Sequence, residues 1–153
     1  MKGRGIFFAV SIGLAVAVTL VRLSFGVNRE SLFSVYYIVP IIFPFVAFLQ
    51  ERLDRWLTHG DIPWKIDGPV VVFSILRAAN IPPLLFSGHT LFLIYSLGTA
   101  SRRLTKLLSA AVLVQVVHAK LFLVHDPYTL SAGIALGLLS AWIVHQRAKC
   151  SSV

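Results

Sequence analysis

Apolar residues in this sequence come in long unbroken blocks, not in the alternating faces of a soluble helix or strand. Gly5 to Val21, Leu32 to Leu49 and Pro127 to Gln146 contain no Asp, Glu, Lys or Arg, and neither does Leu107 to Ala119. At about 1.5 Å of rise per residue, blocks of this length match a hydrocarbon core about 30 Å thick. A soluble core helix would keep a polar face, and these blocks lack one. The pattern predicts an all-α membrane protein with a single transmembrane helical domain over residues 1–153. Six spans can be drawn: Gly5 to Phe25, Leu32 to Leu49, Gly68 to Ala79, Gly88 to Ala100, Leu107 to Val124 and Tyr128 to Gln146. The third is short and runs through Arg77 and Asn80 into Pro82 and Pro83, which predicts a tilted helix or a re-entrant one buried in protein.

Composition strengthens this picture, because a 57% hydrophobic share with 13% charged residues lies far from the soluble average. A net charge of +8 raises nucleic acid as a partner. The basic residues, however, fall in short clusters between apolar blocks, with no basic stripe interleaved with aromatics, so no nucleic acid partner is expected. Membrane topology accounts for them better. With the N-terminus inside, the cytoplasmic segments hold Lys2 and Arg4, then Arg52, Arg55 and Lys65, then Arg102, Arg103 and Lys106, and finally Arg147 and Lys149. The other side keeps Arg22, Arg29, Arg77 and Lys120. The positive-inside rule then predicts an even number of spans with both termini cytoplasmic.

Met1 to Arg22 has the basic start of a signal peptide but a longer apolar run, and reads as an uncleaved first span. Gln50 to Asp67, with Trp56 and Trp64, predicts an interfacial amphipathic stretch. The single cysteine, Cys150, excludes an internal disulfide, and neither a metal nor a cofactor is expected. Gly133, Gly137 and Ala141 recur every four residues and predict a helix face that a neighbouring helix approaches closely.

Polar groups near membrane spans are costly and so are functional candidates. Phe86-Ser87-Gly88-His89-Thr90 stands just before an apolar block and predicts a helix N-terminus, whose free N–H groups attract an anion such as phosphate. The plainer alternative is that Ser87 caps the helix and His89 lies at the interface. His125, followed by Asp126-Pro127-Tyr128-Thr129, ends the fifth span, on the same outer face as His89 in the six-span topology. Two histidines brought to one face can serve as nucleophile and general acid in phosphoryl transfer. Lys120 reads as snorkelling to the headgroups, and Arg77 either as snorkelling or as a phosphate ligand. His118 lies seven residues before His125, on nearly the same helix face, and reads as facing the bundle interior, with Gln115 as a candidate partner.

Phe86-Ser87-Gly88-His89-Thr90 followed by His125-Asp126-Pro127-Tyr128-Thr129-Leu130-Ser131-Ala132-Gly133 resembles the second and third signature motifs of the type 2 phosphatidic acid phosphatase superfamily, particularly its sphingomyelin-synthase-like branch. The likeness covers Arg77 to Ala141. It implies a six-span transmembrane helix bundle, an active site at the outer face, membrane lipids as surroundings and a lipid phosphate ester as substrate. His125 would attack phosphorus to give a phosphohistidine, His89 would protonate the leaving oxygen, and Ser87 with the Gly88 backbone would hold the phosphoryl oxygens. Three departures stand out. Thr129 occupies the place of the aspartate that orients the nucleophile, Ala119 that of an arginine, and the first motif is absent. Thr129 is expected to accept the second N–H of the His125 ring in place of that aspartate. The departures leave two alternatives: a catalytically silent relative that binds lipid or a membrane partner, and an unrelated small helical membrane protein.

Overall fold

The computed structural model describes residues 3–60, 63–78 and 86–150, and these form helices joined by short turns, with no strand among them. Helix α1 spans Gly3–Ser24 and α2 spans Arg29–Ile38. A 3₁₀ turn at Val39–Ile41, where Pro40 removes a backbone donor, leads into α3, Ile42–His59. Gly60, at φ 67°, closes α3 in the left-handed conformation that glycine adopts without a steric penalty. Helix α4 is Pro63–Ala78, α5 is Gly88–Thr99 and α6 is Arg103–His118. A π turn at Ala119–Leu123 extends α6, and α7 runs Pro127–Cys150.

Four stretches are long and apolar enough to cross a membrane: Gly5–Ser24, Val35–Thr58, Arg103–Leu123 and Pro127–Arg147. They leave large apolar side chains exposed, among them Ile6, Leu20, Leu57, Val114 and Leu138, a surface suited to hydrocarbon as solvent. Helix α4 starts earlier than the predicted third span, and only its Asp67–Leu76 portion is an apolar helix of shorter length. Pro82 and Pro83, expected to end it, lie outside the described residues.

Long-range polar contacts sort to the two ends of the bundle and show that α3, α4, α5, α6 and α7 alternate in direction. At one end Glu51 of α3 meets the start of α6, while Arg52 of α3 meets Asp67 near the start of α4 and Thr99 at the end of α5. At the other end Ser87, which begins α5, meets Tyr37 of α2 and Thr129 near the start of α7. Helix α5 forms the centre: Leu91, Leu93 and Tyr95 are at most 1% exposed. Its most extensive partner is α7. The small-residue face predicted for α7 explains why. A Cβ added to Gly133 would lie 2.7 Å from the Ser87 carbonyl oxygen, and one on Gly137 would lie 2.8 Å from the Ile94 Cβ. The Ala141 Cβ lies 2.8 Å from where a Cβ on Gly98 would stand.

The expectation of an interfacial stretch at Gln50 to Asp67 is corrected, because α3 continues through it to His59 and buries Glu51 and Arg52. The cause is a polar network. The Glu51 carboxylate accepts from the Ser101 hydroxyl at 2.7 Å, the Arg102 N–H at 3.2 Å and the Thr105 hydroxyl at 3.2 Å, and also from the Ser101 N–H. Ala100 and Arg102 are extended, with ψ of 140° and 130°, so the N–H groups of Ser101 and Arg102 fall between α5 and α6, and Glu51 accepts both. Arg52 pairs with Asp67 at 3.1 Å, donates to Thr99 at 3.1 Å and lies over the Phe48 ring. Asp67 also accepts the Tyr95 phenol proton at 2.5 Å.

Candidate functional site

Ser87 has an extended ψ of 108° and is the N-cap of α5. Its Oγ accepts from the Thr90 N–H at 3.3 Å and from the Thr90 hydroxyl at 2.9 Å. The sequence reading of Ser87-Gly88-His89 as a helix opening therefore holds in its geometry. Gly88 and His89 fall in the first turn of α5. The Ser87 hydroxyl, expected on phosphate, is buried and committed to the cap. His89 sits with its ring edge-on to Tyr37, 4.6 Å between centroids.

The second motif segment is delivered by the end of α6. The Val124 N–H reaches the Ala119 carbonyl at 3.0 Å and the Asp126 N–H reaches the Lys120 carbonyl at 2.9 Å, which unwinds the helix through a π turn. His125 follows at φ 55°, the one non-glycine residue with positive φ among the described residues. Strained backbone of this kind gathers at functional sites. Histidine tolerates the left-handed region better than most side chains. The turn leaves the Leu121 carbonyl without a helical donor, and His125 Nδ1 lies 3.1 Å from it. A carbonyl cannot donate, so the proton of that bond sits on Nδ1, and in the neutral ring the lone pair is on Nε2.

Thr129 does not orient this ring, contrary to expectation. Its hydroxyl donates to Asp126 and accepts from Lys120 Nζ at 3.0 Å, because Asp126 caps α7 and holds both groups. Asp126 accepts the Thr129 N–H at 3.1 Å and pairs with Lys120 at 3.0 Å. Hydrogen bonds from Thr129 and then Lys120 hold its carboxyl well below the usual range, at about 2. Lys120, read as snorkelling, is held here by Asp126 and Thr129. His118 is also corrected: it is exposed, with its ring 5.3 Å from Phe122, while Gln115 donates to the Tyr36 carbonyl at 2.7 Å. Arg77 is the last residue but one of α4, and its side chain lies outside the described residues.

The two motif segments meet directly. The Ser87 N–H donates to the Thr129 carbonyl at 2.9 Å, and Gly133 lets α7 pass against the Ser87 carbonyl and Thr90. Ser87, Gly88, His89, His125 and Thr129 thus belong to one end of the bundle. Sequence reasoning missed Tyr37, the Leu121 carbonyl and the Lys120–Asp126 pair. Comparison with family models, curated proteins and solved structures gave no match. Among the described residues no group of three or more His, Cys, Asp or Glu is arranged to hold a metal ion.

Proposed function

We propose that this chain is a membrane lipid phosphatase or phosphotransferase of the type 2 phosphatidic acid phosphatase kind, acting on a lipid phosphate ester. The observation that supports the reading is the Ser87–Thr129 bond, which links the two motif segments, with the strained His125 four residues before Thr129. His125 Nε2 attacks phosphorus, an N–P bond forms, and the P–O bond to the lipid breaks. His89 gives its proton to the departing oxygen. Water or a lipid alcohol then attacks phosphorus, its proton returns to His89, and the N–P bond breaks. The Gly88 N–H, in the first turn of α5, holds a phosphoryl oxygen, with Arg77 as a further ligand.

The chain crosses the bilayer six times in this reading, with both termini cytoplasmic and the site outward. Helix α5 has 12 residues, about 18 Å at 1.5 Å per residue. Residues 100–102, extended at Ala100 and Arg102, add up to about 10 Å, which brings the crossing near the ~30 Å core. Glu51 satisfies the backbone of that extended part, as a lipid setting demands.

A second reading, a silent lipid-binding relative, is favoured by Thr129, which is bonded to Asp126 and Lys120 and leaves His125 a neutral carbonyl in place of a carboxylate. The purified full chain in detergent micelles, incubated with a short-chain phosphatidic acid, separates the two. Phosphate release that disappears in His125→Ala and in His89→Ala supports the enzyme. Absence of release from lipid phosphates, with binding retained, leaves the silent relative.

A further inference from the structure

We propose that Tyr37 is a positioning residue for His89, a role that rests on the reading of His89 as the acid of the site. Tyr37 lies on α2, in the part of the chain the motifs do not reach, yet it touches both residues that carry the first of them. Its ring stands edge-on to the His89 imidazole, at 71° and 4.6 Å between centroids. Edge-to-face geometry is the preferred arrangement for aromatic pairs, so it fixes the imidazole plane as well as its place. Behind Tyr37, the Phe33 ring stacks at 13° and 5.8 Å and closes off retreat.

The phenol end is fixed too. Ser87 Oγ already accepts two hydrogen bonds from Thr90, which occupy both of its lone pairs. In its 3.4 Å contact with the Tyr37 hydroxyl, Ser87 is therefore the donor and the phenol oxygen the acceptor. The ring is held at its tip by the α5 cap and on its back by Phe33, and meets His89 in one orientation. A general acid acts only when its proton lies within hydrogen-bond reach of the leaving oxygen. Misplacement by about 1 Å can cost on the order of 100-fold in rate.

The test uses the full chain with labelled histidine in micelles, with the His89 ring signals assigned by loss in His89→Asn. A neighbouring aromatic ring shifts these signals through its ring current, and a residue that merely fills space does not. Tyr37→Phe keeps the ring and should keep the His89 shift; Tyr37→Leu should lose it. Phosphate release should follow, with kcat down about 10-fold or more in Tyr37→Leu, KM little changed, and most activity restored in Tyr37→Phe, since an acid contributes to the transition state rather than to substrate binding. If Tyr37→Leu does not fold, Phe33→Leu loosens the same ring from behind and should move the same signals. An unmoved His89 signal in the Leu variant, or a moved signal with unchanged kcat, overturns the proposal. If the wild-type chain releases no phosphate, the enzyme reading fails and the catalytic role of Tyr37 with it, whereas an unmoved His89 signal in Tyr37→Leu overturns the Tyr37 contact alone.

Discussion

Replacing Gly133 with alanine adds one carbon where α7 crosses α5, and the outcome can be worked from the distances. The new Cβ would lie 2.7 Å from the Ser87 carbonyl oxygen and 3.0 Å from the Thr90 Cβ, against about 3.4 Å for ordinary contact. The obstruction on one side is backbone, so relief requires the helices to part by up to about 0.7 Å, the difference between 3.4 and 2.7 Å. The Ser87 N–H to Thr129 bond would then stretch from 2.9 Å to about 3.6 Å, beyond hydrogen-bonding range. Overpacking of this kind costs about 1–3 kcal/mol, offset by up to about 1 kcal/mol of helix propensity gained over glycine. At roughly 2–4 °C per kcal/mol for a chain of this size, thermal unfolding in micelles should fall by several degrees. The control is Gly13→Ala, where a Cβ meets nothing within 4 Å, and it should be neutral or slightly stabilising. Phosphate release should fall at least about tenfold in Gly133→Ala, because the two motif segments separate. A Gly133→Ala protein as stable as Gly13→Ala would refute the close approach, and with it the geometry on which the site depends.

Two further outcomes follow from charged groups. Asp126 is held at about 2, below its ordinary value, so its contribution to stability is complete above the unfolded pKa near ~4 and is lost as pH falls through about 2. Unfolding temperature measured from pH 5 to pH 2 should decline less steeply in Asp126→Asn than in the wild type, and equal slopes would remove the capping role. At the opposite end, Arg52 and Asp67 are 6% and 8% exposed, so Arg52→Met strands a buried carboxylate and should cost about 3–5 kcal/mol. The double change Arg52→Met with Asp67→Leu should recover much of that loss in a denaturant-unfolding cycle, and full additivity of the two single effects would contradict a paired network.

What the sequence made legible and what it hid differ in kind. Long apolar blocks, the stripe of Gly133, Gly137 and Ala141, and the helix opening at Ser87 are periodic or local signals, and each appears in the structure near its predicted place. The polar residues of Gln50 to Asp67 misled because composition cannot show which carboxylate finds a partner. Glu51 and Asp67 are buried by residues some 50 and 15 positions away, Ser101 and Arg52. Lys120 and Thr129 misled for a similar reason. Asp126 before Pro127 is a helix N-cap pattern with proline at the first helical position, and that signal was available. Read that way, Thr129 falls at the third helical position, where its N–H belongs to the cap, and its side chain turns toward Asp126 and not toward His125. Tyr37 gave no signal of its own, since an aromatic residue inside an apolar block looks like packing.

The two ends of the bundle answer to different constraints, and the contrast bears on function without reference to any motif. At the Arg52 end, Glu51 completes an otherwise unpaired backbone and Asp67 joins Arg52 to Tyr95, so the buried carboxylates there are spent on structure. At the Ser87 end the regular helix gives way to a π turn, and a non-glycine residue takes a left-handed backbone. An ordinary termination could have used a glycine after Leu123, as Gly60 terminates α3, and would have avoided the strain. Holding a histidine there instead directs its Nδ1 onto Leu121 and leaves Nε2 as the basic nitrogen. Local departures from regular structure that bring no stability are expected where a side chain must be presented for another purpose. Here that side chain is an imidazole on the segment bonded to the N-cap of α5.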